Sequence, residues 1–105
     1  MENINSVRVI ESPKYLRVGE GAYYQLNTNN YGGSPTSVTV TVYDTSNNNA
    51  DVTSTVLTGS ASVSGDVISL PKILSGTARH LRVVVQFTNA RFAPAKPYLE
   101  VFVVD

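Results

Sequence analysis

The chain has 105 residues, equal numbers of basic and acidic side chains, and no cysteine. This length fits one domain over residues 1–105. The lack of cysteine excludes disulfides and cysteine-ligated zinc or iron–sulfur sites. A formal net charge of zero gives no basic surface for nucleic acid or an anionic membrane. The sequence also has no signal peptide at its start and no apolar run long enough to cross a membrane.

Alternation of apolar and polar residues with a period of two runs through the chain, interrupted at short intervals by Gly, Pro, Asn and Ser. This pattern is typical of sandwiches and barrels. In chain order the predicted elements are strands 6–11, 15–18, 22–28 and 37–44, a weaker strand 51–58, a hairpin 59–70, and strands 79–88 and 97–104. Seven to eight antiparallel strands of this spacing predict an all-β, immunoglobulin-like β-sandwich.

Two predicted elements carry specific expectations about pairing and turns. The segment 59–70 reads as a hairpin that turns near Gly65 and Asp66, although a single bulged strand is an alternative. Strands 79–88 and 97–104 read as neighbours, and if they pair as a hairpin, Val84 should lie close to Phe102.

Few residues in the sequence suit catalysis or metal binding, so we expect no enzyme and no cofactor. His80 is the only histidine and falls on an outward-facing strand position, which favours a partly exposed sheet residue over a catalytic or metal role. The spacing Asp44-x-Ser46-x-Asn48 superficially resembles a calcium loop, but it lacks the glycine and the bidentate glutamate that such loops use. Further ligands would require Asp51 and Asp66 to converge on this loop.

The last predicted strand is apolar on both faces, which a sandwich core alone does not require. Its outward side chains, with those of two neighbouring strands, suggest a protein interface of four residues: Tyr43, Val84, Tyr98 and Phe102. Aromatic residues are typical of interface centres. We expect a protein partner, by self-association or in a larger assembly, and neither nucleic acid nor a membrane.

A second candidate surface is formed by two loops, 31–33 and 89–95, which immunoglobulin-like topology would place near one another. In that case Tyr31 and Phe92 would provide an aromatic platform. This surface goes with an alternative function, a carbohydrate- or protein-binding module from a larger secreted or cell-surface protein, located outside the cell.

Two stretches of the chain carry a family resemblance. Tyr15 to Glu20, followed by Tyr24-Gln25-Leu26, resembles the opening of bacterial immunoglobulin-like domains. The segments 51–57, 59–68 and 81–85 resemble small tailed-phage virion proteins of the fiber–tail adaptor or head–tail accessory type. The resemblance spans about residues 15–104.

The phage resemblance implies a structural protein without active-site residues. It also implies a protein that is made in the host cytoplasm, becomes part of the virion and leaves by lysis. Such a protein needs no secretion signal, which agrees with the start of this sequence.

Overall fold

The computed structural model describes residues 14–105, and most of them form β-strands. The predicted strand 6–11 lies outside the described residues. The strands are β1 Lys14–Arg17, β2 Gln25–Asn27, β3 Thr36–Asp44, β4 Ala50–Asp51, β5 Leu57–Thr58, β6 Ser62–Ser64, β7 Val67–Ser69, β8 Lys72–Ile73, β9 Arg79–Thr88 and β10 Tyr98–Val104. A 3-10 turn at Asn29–Tyr31 and one helical turn, α1 at Thr53–Val56, complete the elements. No helix in this part of the chain is long and apolar enough to cross a membrane.

The strands form a five-stranded sheet and two smaller sheets. The large sheet has the order β1-β10-β9-β3-β4, the second β2-β7-β6, and the third consists of β5 and β8. The all-β prediction is confirmed, but the prediction of seven to eight antiparallel strands is wrong. Ten strands lie within residues 14–105, and β1 pairs with β10 in parallel. The count differs because α1 divides the predicted strand 51–58 into β4 and β5, and because β8 lies between 70 and 79, where no strand is predicted.

One hydrophobic core fills the space between the sheets. In β9 every odd-numbered residue from Leu81 to Phe87 is buried, as the alternation predicts. The opposing sheets contribute Leu26, Ile68 and Ile73 to the same cluster. Residues of the period-two pattern therefore pack inward from both sides, and hydrophobic burial of this kind is the main stabilising contribution to such a domain.

The hairpin predicted over 59–70 is confirmed, and the alternative of one bulged strand is wrong. β6 and β7 pair in an antiparallel register across a two-residue turn, Gly65 and Asp66. Gly65 has a φ of +61°, a value that glycine adopts without the steric cost of a side chain. The Asp66 carboxylate then accepts a hydrogen bond from the Ser34 backbone, which joins this turn to the loop after β2.

The weaker strand predicted over 51–58 is wrong, because α1 occupies its middle. β-branched residues such as Thr53 and Val56 favour strands, so tertiary bonds must hold this turn. The Asp51 carboxylate accepts hydrogen bonds from the Thr53 backbone at 3.0 Å and from its hydroxyl at 2.6 Å. The Thr53 hydroxyl oxygen in turn accepts a hydrogen bond from the Val42 backbone at 2.9 Å. Local side-chain bonds of this type compete successfully with strand pairing.

Replacing Thr53 by Val should lower the free energy of unfolding by about 1–2 kcal/mol, because the Val42 N–H in β3 loses its acceptor. The same hydroxyl and backbone hydrogen bonds from Thr53 hold the pKa of Asp51 below its ordinary value of 3.8. The ionised Asp51 carboxylate therefore stabilises the fold at pH values above its ordinary pKa. This stabilisation is lost as the pH falls through the lowered pKa of the folded state.

Urea denaturation measures the first effect, and an NMR titration of the Asp51 carboxyl, whose pKa should rise in Thr53→Val, measures the second. Thr55→Val changes an exposed residue of the same helical turn and should alter stability by less than about 0.5 kcal/mol. Equal losses in the two variants would contradict this account of α1.

Candidate interaction face

The side chains of the large sheet that point away from the core form one surface, called here the outer face. All four predicted interface residues lie on it, and each is half-buried. Val84 has Thr41 of β3 as its neighbour on one side and Tyr98 of β10 on the other. The structure therefore places Tyr43, Val84, Tyr98 and Phe102 together on one face of three adjacent strands.

The expected proximity of Val84 and Phe102 is wrong. Phe102 pairs with His80, four residues away from Val84 along β9. The turn between the strands determines this register: reciprocal backbone hydrogen bonds join Phe87 and Ala95, at 3.0 and 2.8 Å, and the Val85 N–H donates to Pro97. Turn geometry sets the register of a hairpin, and the sequence pattern alone did not give the number of residues in this turn.

An aromatic cluster occupies one end of the outer face. The Phe102 ring lies 4.7 Å from the His80 ring and 5.4 Å from the Tyr15 ring, measured between centroids. Tyr15 is 68% exposed, and it reaches Phe102 because β1 pairs with β10. These distances are within the range of favourable aromatic pairs. His80 is thus an exposed sheet residue in contact with an aromatic ring, as the sequence favoured.

Sequence reasoning missed Tyr15 as a member of this cluster. The signal was present, because alternation over the predicted strand 15–18 places Leu16 and Val18 on one face and Tyr15 on the other. The missing information was the position of β1 beside β10, because a parallel edge strand leaves no hairpin turn that would reveal its partner in the sequence.

A charged pair separates this aromatic cluster from the rest of the outer face. Glu100 and Arg82 are register partners on β10 and β9, and Tyr43 follows on β3. The Arg82 guanidinium lies 4.7 Å above the centre of the Tyr98 ring, a cation–π contact. A shallow groove of about 390 Å³ runs beside Tyr43 and is bordered by Arg82 and Lys96. The outer face thus alternates apolar and charged contacts.

The three carboxylates considered for calcium binding, Asp44, Asp51 and Asp66, have protein partners. The Asp44 carboxylate accepts hydrogen bonds from the backbone and hydroxyl of Ser46 and lies 3.9 Å from the Arg79 guanidinium. Asp51 bonds to Thr53, while Asp66 contacts the loop after β2. Among residues 14–105, no group of three or more His, Cys, Asp or Glu side chains could hold a metal ion.

The two loops of the second candidate surface do meet, but they do not present the expected aromatic platform. Phe92 is only 8% exposed and belongs to the core. Tyr31 is half-buried and packs edge-on against Phe87, with 6.1 Å between ring centroids. Asn89 bridges the loops: its side-chain amide donates to Tyr31 and Gly33, at 3.0 and 2.8 Å. The loops therefore brace the fold rather than display Phe92.

Comparisons of the chain with protein-family models, with curated proteins and with solved structures found no match. The resemblance to bacterial immunoglobulin-like domains and phage virion proteins therefore stays a prediction.

Replacing Asn89 by Ala should lower the midpoint of thermal unfolding by roughly 10–20 °C. The change removes two donated bonds and the two that its side-chain oxygen accepts from the backbones of Arg91 and Phe92, a loss of about 2–3 kcal/mol at this size of domain. Scanning calorimetry measures the shift. Asn47→Ala, in an exposed turn, serves as the control and should shift the midpoint by only a few degrees; a comparable shift in both would contradict the bridging role.

Proposed function

We propose that this chain is an immunoglobulin-like β-sandwich that acts as a non-enzymatic structural module of a tailed-phage virion, docking through its outer face. Strand order supports the fold. The sequence β10-β9-β3 in the large sheet and β2-β7-β6 in the second corresponds to the G-F-C and B-E-D orders of immunoglobulin domains. The parallel pairing of β1 adds an edge strand to that arrangement.

One observation carries the proposed docking: the aromatic cluster of Tyr15, Phe102 and His80 lies on the outer face of the large sheet, where Tyr15 is 68% exposed. Such aromatic groups are the usual anchors of interfaces, especially with arginine nearby. Arg82, held against Tyr98, provides that second component. The face therefore combines the apolar area and the directional polar contacts that a specific protein partner requires.

The virion assignment within this proposal rests on the sequence resemblance described above. Its gene neighbourhood tests it directly. Capsid, portal and tail genes beside this one would support a virion protein made in the host cytoplasm. A longer reading frame that contains this chain together with secretion signals would contradict it and favour the extracellular binding module.

We further propose that the outer face docks a second copy of this chain, so that the double substitution Tyr98→Glu and Phe102→Glu abolishes self-association without unfolding the chain. Replacing these two half-buried aromatic side chains by carboxylates should weaken association by on the order of 100-fold or more. Sedimentation velocity over a range of protein concentrations measures this, and circular dichroism verifies that both proteins are folded.

The matched control is Val63→Glu, which places the same charge on an exposed apolar residue of β6 in the opposite part of the fold. It should leave association unchanged. The proposal that the outer face docks a second copy fails if association survives the double substitution, if Val63→Glu abolishes association equally, or if the wild-type chain stays monomeric at every concentration.

A further inference from the structure

Three neighbouring residue pairs of β9 and β10 lie side by side on the outer face, because directly opposed residues of an antiparallel pair share one side of the sheet. The pairs are His80 with Phe102, Arg82 with Glu100, and Val84 with Tyr98. The first is a ring contact with 4.7 Å between centroids, the second joins opposite charges, and the third is apolar. His80 and Arg82 are exposed, and the other four side chains are half-buried. The two strands therefore present matched halves of three different kinds of contact.

This arrangement is self-complementary for one particular symmetry. Two copies of a chain most often associate about a twofold axis, so that when residue i of one copy contacts residue j of the second, residue j also contacts residue i. If the axis runs parallel to the strands, midway between β9 and β10, β9 of each copy lies over β10 of the second. Arg82 of each copy then faces Glu100 of the second copy. Sheets that pack face to face keep their strands within about 30° of each other, so residues near the axis stay opposed.

An axis perpendicular to the strands gives a different result. It places β9 over β9 and β10 over β10, so Arg82 faces only residues of β9 and never the Glu100 carboxylate of the second copy. The charges then gain no opposite partner across the interface, and like charges that lie close together oppose association. Charge complementarity therefore favours the axis parallel to the strands.

The outer face is also large enough for such a dimer. Its strands β1, β10, β9 and β3 have four, seven, ten and nine residues. At about 3.4 Å per residue and about 4.8 Å between strands, they cover roughly 500 Å². Two copies then bury about 1,000 Å², the area that a specific interface needs. The formal net charge of zero means that two copies do not repel each other as whole molecules.

We propose that two copies of this chain pack outer face against outer face about a twofold axis parallel to the strands, between β9 and β10, with Arg82 of each copy bonded to Glu100 of the other. The Arg82 guanidinium is held 4.7 Å above the Tyr98 ring, so less side-chain freedom is lost on docking. Its five N–H donors and the two oxygens of the carboxylate allow each group to keep contacts within its own chain as well. The proposal rests on the proposed docking of a second copy, and it specifies the symmetry and the central contact of that dimer.

Charge exchange between Arg82 and Glu100 tests the symmetry, with sedimentation velocity over a range of concentrations as the measurement. Arg82→Glu and Glu100→Arg alone should each weaken self-association by about 100-fold or more, because each variant opposes like charges twice across the interface. An equimolar mixture of the two variants should associate to within about tenfold of the wild type, since every glutamate then faces an arginine. Arg91→Glu makes the same change at an exposed turn residue and should leave association unchanged.

The double variant Arg82→Glu with Glu100→Arg keeps opposite charges paired within each chain, so it decides the question even if a single variant fails to fold. It should associate with itself to within about tenfold of the wild type and should not associate with the wild-type chain. The chain has no cysteine, so a fluorophore on Ser62→Cys, at an exposed position of β6, marks one of the two proteins in such mixtures. Circular dichroism verifies that every variant is folded.

The outcomes separate this proposal from the docking on which it rests. It alone is overturned if the charge variants associate as the wild type does while Tyr98→Glu with Phe102→Glu does not, because the outer face then docks a second copy in another orientation. It is also overturned if the double variant binds the wild type in preference to itself, which would indicate the perpendicular axis. A wild-type chain that stays monomeric at every concentration would overturn it together with the docking of a second copy.

Discussion

The register between β9 and β10 is the constraint on which the rest of this structure depends. β9 lies at the centre of the large sheet, and its odd-numbered residues supply much of the core. A slip of one residue would exchange the two faces of a strand, exposing Val83 and Phe87 and burying Arg82. The turn after β9 prevents this slip. Within the turn, the Asn89 side-chain oxygen accepts hydrogen bonds from the backbones of Arg91 and Phe92. Its side-chain amide donates to the carbonyls of Tyr31 and Gly33 in the neighbouring loop. Phe92, anchored in the core, fixes the same turn from inside.

Elements with strong alternation could be predicted from the sequence, and elements held by side-chain bonds could not. β9 has the bounds expected from its pattern, and the turn at Gly65 follows from a residue that tolerates positive φ. The segment 51–58 has β-branched residues and was expected to extend, yet the hydroxyl of Thr53 bonds both Asp51 and Val42 and closes a helical turn. Such bonds depend on a partner in another strand, which a local pattern does not contain.

On the outer face, too, alternation predicts some features, and others depend on contacts that are distant in sequence. The outward positions of Tyr43, Val84, Tyr98 and Phe102 follow from alternation alone, so sequence reasoning could place them on one surface. Their distances from one another depend on turn length and on strand order. For this reason Phe102 lies beside the His80 ring and not beside Val84. Tyr15 also contacts Phe102, from a strand whose parallel pairing has no local sequence signature.

The outer face combines an aromatic cluster with a charged register pair, and this combination limits which partners can bind to it. The outer face offers side chains only, and Arg82 and Glu100 interrupt its apolar area. A partner that buried the aromatic cluster would also have to satisfy these charges or pay a desolvation cost of several kcal/mol. The charged pair therefore works against indiscriminate apolar contacts and favours one complementary partner.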